Sequence, residues 1–158
     1  MAHTNAVRSA KKKAKAAETA EAKGLYAAVM LKGTVKIHRG LTQTFEKLSL
    51  SRPNTCIVVP ADGTYTGMFR KISEFVTWGE ISENMLEMLL CKRGKMEKKE
   101  AKALAKKAFA SGSFGAGSKR VFRLSPPSGG IKSVRLNYPR GDMGYRGVEI
   151  NALLERMI

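Results

Sequence analysis

The sequence predicts a helix-covered β-sheet in a single α/β layer domain. Three observations lead there. Short apolar runs alternate with segments whose apolar residues recur at helical spacing. Pro53, Pro60 and Gly94 fall at the ends of such segments, where they stop regular structure. The chain has 158 residues, one domain's worth, and 43% are hydrophobic, enough for a core.

The N-terminal stretch combines lysines 11, 12, 13, 15 and 23 with many alanines. Alanine and lysine favour helix, but there is no apolar stripe to bury. It reads as a basic flexible arm, either a solvated tail or an arm that touches RNA. Residues 25–31 (Leu25-Tyr-Ala-Ala-Val-Met-Leu31) form a continuous apolar run, as a strand buried on both faces requires. Leu41, Phe45 and Leu48 then mark a short helix over 40–50, and Pro53 forbids its continuation. Residues 55–59 are β-branched and apolar, a second core strand ended by Pro60.

Asp62 and Gly63 make a turn, after which Tyr65, Met68, Phe69, Ile72 and Phe75 lie on one face of a second helix. Residues 76–78 read as a short extended piece. Ser82 is an N-cap for a third helix carrying Met85, Leu86, Met88, Leu89 and Leu90, with Gly94 as its stop. Residues 95–110 predict a lysine-faced helix with a thin stripe of Ala101, Leu104, Ala105 and Ala108. A Gly/Ser loop over 111–118, a short strand over 121–124 and an irregular stretch over 125–147 follow. Ile150, Leu153, Leu154 and Met157 then repeat at i, i+3, i+4, i+7, a terminal helix that docks on the core.

The formal net charge is +16, and it is uneven. Residues 25–91 are nearly neutral, at +1, whereas residues 92–123 carry +9. Self-repulsion destabilises so basic a surface, and a polyanion relieves it. Nucleic acid, held through its phosphates, is the expected partner. No run approaches the roughly 18 apolar residues of a membrane span, and the basic segments lack the apolar face of a membrane-surface helix. A soluble cytoplasmic protein without a small-molecule substrate is expected.

Nothing in the sequence forms a catalytic constellation. His3 sits in the arm and His38 beside a turn. Cys56 belongs to a core strand, and Cys91 closes a helix. Lys92 and Arg93 follow Cys91, but core packing is its simpler role. The two cysteines have neither zinc-ligand spacing nor the look of a disulfide framework. No metal or cofactor is expected. Residues 112–119 (Gly112-Ser-Phe-Gly-Ala-Gly-Ser-Lys119) resemble the phosphate-binding loop G-x-x-x-x-G-K-[ST]. The final pair is reversed, and a helix precedes where the motif needs a strand. A flexible loop beside basic residues is the sober reading.

The basic stretch includes Lys92, Arg93, Lys95, Lys119, Arg120 and Arg123. Residues 123–130 (Arg123-Leu-Ser-Pro-Pro-Ser-Gly-Gly130) differ in kind. Pro126 and Pro127 stiffen the backbone, while Gly129 and Gly130 admit another backbone closely. Flanked by Arg123 and Lys132, such a loop suits an RNA groove read by shape, and its plain alternative is a tight connector. Arg135, Arg140 and Arg146 add stiff basic loops beyond it.

Several of these segments occur together in a familiar order: Gly33-Thr-Val35, Asn54-Thr-Cys-Ile-Val-Val-Pro60, Tyr65-Thr-Gly-Met68, Phe75-Val-Thr-Trp-Gly-Glu-Ile81, Lys92-Arg-Gly94 and the Pro/Gly loop. From residue 25 onward the chain resembles the large-subunit ribosomal protein L thirty family in its archaeal form, whose eukaryotic relative is called L seven. The resemblance implies an α+β fold with a ferredoxin-like β-α-β-α-β core and an antiparallel three-stranded sheet. Charge and composition divide the chain into a basic arm (1–24), a core (25–94), a Lys-rich insertion (95–120) and a C-terminal extension on the core (121–158). The resemblance implies a non-enzymatic constituent of the large subunit, binding rRNA near the 5S rRNA and meeting neighbouring ribosomal proteins. Arg39, Arg52 and Lys71 join Lys92, Arg93, Arg123 and the Pro/Gly loop as its RNA-facing positions. Thr66, Ser125 and Ser128 replace residues more frequent in the family. The competing reading is a free-standing RNA chaperone, but aromatics for stacking on bases make up only 7% of the chain.

Overall fold

A computed structural model describes residues 24–35, 37–112, 114 and 120–158. The arm, apart from Gly24, and most of the loop at 113–119 lie outside the described residues. Strand β1 (Leu25–Met30) is apolar along its length because helices cover both its faces. Leu25, Ala27 and Val29 point into one apolar cluster, and Ala28 and Met30 into the other. Strand β2 (Thr55–Pro60) divides likewise, with Cys56 and Val58 on the first face and Ile57 and Val59 on the second. In β3 (Val76–Glu80), Val76 and Trp78 join the second cluster.

Helices α1 (Arg39–Lys47) and α2 (Gly63–Lys71) cover the second face through Phe45 and Phe69. Helices α3 (Glu83–Lys92), α4 (Lys98–Ser111) and α5 (Ile150–Met157) cover the first. Their ends follow from local chemistry. Ser82 Oγ accepts the Met85 N–H at 3.3 Å, the expected cap of α3. His38 caps α1 in the same way, its Nδ1 accepting the Gly40 N–H at 3.2 Å. Ala101, Ala105 and Ala108 bury the narrow stripe of α4, so its lysines face outward. Ile150, Leu153, Leu154 and Met157 are all buried, and each such burial contributes about 1.5–3 kcal/mol.

The sheet order is β4-β2-β1-β3-β5, where β4 is Val121–Arg123 and β5 is Gly144–Tyr145. β1 is antiparallel to both β2 and β3, so those two run parallel, joined by α2. This is the antiparallel three-stranded centre and α+β class that the family resemblance implies. β4 extends it antiparallel to β2, and β5 parallel to β3. β5 falls within the stretch that the sequence presents as irregular. Two residues carry no periodicity, and a specific contact recruits them: buried Thr77 Oγ1 donates to the Gly144 carbonyl at 3.2 Å. Phe75 falls beyond α2, in the turn before β3, yet still packs edge-on against Phe45 with ring centroids 5.8 Å apart.

Candidate nucleic-acid interface

Register gathers the basic residues. β1 ends where β2 and β3 begin, because Met30 pairs with both Thr55 and Val76. β4 ends there as well, with Arg123 opposite Thr55. Arg52 leads into β2 at this end of the sheet, and Lys71 closes α2 just before β3. Lys32 joins them, its N–H donating to the Phe75 carbonyl at 3.2 Å. Lys92 closes α3 at the same end, since neighbouring Arg93 reaches Ser125, two residues beyond Arg123. Arg135 shares a groove of about 480 Å³ with Lys32 and Glu74. Lys32, Arg52, Lys71, Lys92, Arg123 and Arg135 are all exposed.

The Pro/Gly loop is clamped beside them. The Ser125 N–H donates to the Met157 carbonyl and the Ser128 N–H to the Arg156 carbonyl, both at 2.9 Å. Arg156 returns the contact, its guanidinium donating to the Gly130 carbonyl at 2.6 Å. Pro127 is buried, whereas Pro126, Gly129 and Gly130 are exposed. Gly129 and Gly130 take φ values of +79° and +74°, which side chains disfavour. The result is a fixed, small-residue surface rather than a slack connector.

The other expected residues divide between surface and scaffold. Arg39 opens α1, and Lys95 follows α3; both are exposed. Lys132 and Arg140 are exposed on the loop beyond the glycines, and Lys119 lies outside the described residues. Arg120 is exposed but donates to the Phe114 carbonyl at 3.4 Å. Arg93 and Arg146 serve the fold. Arg93 donates to the carbonyls of Met157 and Ile158 at 3.3 and 3.0 Å, which fastens the C-terminus to α3. The Arg146 side chain is 8% exposed and forms an ion pair with Asp142. Its guanidinium also lies over the Tyr138 ring, 5.1 Å from the centroid. Lys32, Arg70 and Arg156 are exposed cations of this region that the sequence reading passes over.

Asp142 and Arg146 form the one ion pair among the described residues. Among the described residues, therefore, no carboxylate lies within ion-pair distance of these exposed cations. Cys56 has no part in this surface: its burial pushes the thiol up to about 12, as befits a core residue.

A layered α+β domain with unneutralised cations collected at one end of its sheet has the build of a small basic ribonucleoprotein component. Relatives sharpen that class. The large ribosomal subunit protein uL30 of Archaeoglobus fulgidus is 35% identical over 151 residues, 84% of this chain and 99% of that protein. The uL30 of Methanosphaera stadtmanae is 31% identical over 152 residues, 85% of this chain and 100% of that protein. The uL30 of Methanopyrus kandleri is 35% identical over 149 residues, 81% of this chain and 100% of that protein. No family model matches the chain. The chain belongs to the uL30 family of large ribosomal subunit proteins. The resemblance read from the ordered motifs is thus borne out, and so is the reading that the chain is not an enzyme.

Proposed function

We propose that this protein is a structural constituent of the large ribosomal subunit that binds rRNA through the basic end of its sheet and the adjoining Pro/Gly loop. Its contacts to neighbouring ribosomal proteins and a position on the 5S rRNA side of the particle belong to the same reading. One observation carries it. Five separate segments deliver Lys32, Arg52, Lys71, Lys92 and Arg123 to one end of the sheet, with no ion-paired carboxylate among them. Such a cluster fits closely spaced phosphates, each cation displacing one condensed counterion. The clamped loop beside it offers shape without charge, as groove recognition in RNA requires. Ser125 and Ser128 do not weaken this reading, because their backbone N–H groups are what anchor the loop.

The test is sucrose-gradient fractionation of the tagged full chain from its own cells. It is expected to sediment with the large subunit and to stay there after a moderate-salt wash. Accumulation in the free pool overturns the proposal in favour of a free-standing RNA chaperone.

A further inference from the structure

A second cavity of about 600 Å³ opens at the β5 edge of the sheet, between α2 and β5. Tyr26, Arg70, Trp78, Asn137, Tyr138 and Tyr145 line it. Ligand pockets run to roughly 300–1,000 Å³. Two of its rings are unusually open for such a lining: Tyr145 is 52% exposed and Tyr138 is 38% exposed. The Tyr145 ring is not loose. Its hydroxyl donates to Glu80 Oε1 at 2.6 Å, and its ring centroid sits 4.7 Å from that of Trp78. Tyr26 braces Trp78 from the side, edge-on at 5.3 Å. The hydrogen bond to Glu80 is firm enough to push the Tyr145 phenol up to about 12. The cation lining the cavity is Arg70, exposed on α2 beside Lys71.

A pre-set π-platform sharing a cavity with a guanidinium that pairs with no described carboxylate suits a ligand that is planar at one end and anionic at the other. Asn137 adds a donor and an acceptor at the rim for a base edge. Stacked bases of a duplex cannot enter such a cavity, whereas an unpaired, splayed-out base can. We propose that this cavity receives one unstacked nucleotide of the rRNA, its base on the Tyr145 ring and its phosphate on Arg70. The inference rests on the rRNA-binding reading above. It adds a base-stacking site beside the phosphate-binding end of the sheet.

Trp78 is the only tryptophan of the chain and lines the cavity, so its emission reports occupancy. The full chain is titrated with a short single-stranded oligoadenylate and, separately, with an RNA duplex. The oligoadenylate is expected to quench Trp78, and the duplex to bind at low salt without quenching. Tyr145→Leu keeps bulk but loses the π-face, and is expected to weaken oligoadenylate binding about 5- to 150-fold while leaving duplex affinity unchanged. Tyr145→Phe keeps the ring and is expected to retain most of the affinity. Should Tyr145→Leu lower the thermal midpoint, Arg70→Ala on the exposed face of α2 is the second variant, expected to cost oligoadenylate binding more than duplex binding. Equal quenching by the duplex, or oligoadenylate affinity unmoved in both variants, overturns the proposal and assigns the rings to a protein neighbour. Duplex binding and subunit co-sedimentation, measured on the same preparations, test the broader reading separately.

Discussion

Asp142 shows how a single carboxylate shapes the loop that follows the glycines. It accepts from the Lys132 N–H at 2.5 Å and pairs with Arg146, so it ties residue 132 to residue 146. Burial by itself pushes the Asp142 carboxyl up, but hydrogen bonds from Arg146 and from the backbone of Lys132 and Ser133 outweigh it. The carboxyl therefore titrates below its ordinary value of 3.8. The unfolded chain then takes up the proton more readily than the folded one. The contribution to stability is complete above the ordinary value and is lost as the pH falls through it toward the lower folded value. Thermal midpoints of the native chain and Asp142→Asn, followed from about pH 6 down to about pH 2, check this. The variant is expected to melt lower at the neutral end, with the gap closing in acid below about pH 4. A gap that keeps its size throughout would show that the charge of Asp142 does not hold the loop.

At the scale of elements, α5 docks only because β3 carries a glycine where the chain crosses it. A Cβ at Gly79 would overlap the Gly147 carbonyl, so this residue admits the 3-10 turn Gly147–Glu149 that leads into α5. Gly79→Ala is expected to destabilise the fold by about 1–3 kcal/mol, seen as a fall of several degrees in the thermal midpoint. Gly67→Ala is the contrast, since a Cβ there in α2 meets open space. It is expected to stabilise by about 0.5–1 kcal/mol. Shifts of the same sign at both positions would refute the close-approach account. The same contrast explains which elements are legible beforehand. The three central strands and the helices announce themselves through apolar runs and i, i+3, i+4 spacing, because each buries a stripe of its own. β5 does not, because Thr77 on another strand recruits it. The site is legible as charge but not as roles. Arg93 and Arg146 read like the other arginines, and only the meeting of residues 93, 125 and 157, or of 142 and 146, makes them structural.

For the whole molecule, charge divides into two populations that act differently. The lysines of α4 stand on a helix whose buried face is three alanines, so they form an even fringe on the first face. Arg52, Lys92 and Arg123 instead stand at one end of the sheet beside a clamped loop. Both populations neutralise phosphate, but only the second is held in fixed relation to a shaped surface. Each phosphate contact contributes about 0.7–0.9 to the slope of log affinity against log salt. Arg52→Ala, Lys92→Ala and Arg123→Ala combined are expected to flatten that slope by about 2–3 units for large-subunit rRNA. They are also expected to narrow the preference for that rRNA over a plain duplex. Lys102→Ala, Lys106→Ala and Lys107→Ala combined are expected to flatten the slope while leaving the preference intact. Arg93 stays out of the comparison, because losing it frees the C-terminus and confounds binding with folding. Filter binding across a salt series, on both triple variants and both RNAs, separates these outcomes. An unchanged slope in the first variant places the phosphates on another face. A preference lost equally in both variants means that charge, rather than the loop and its neighbouring cations, does the positioning.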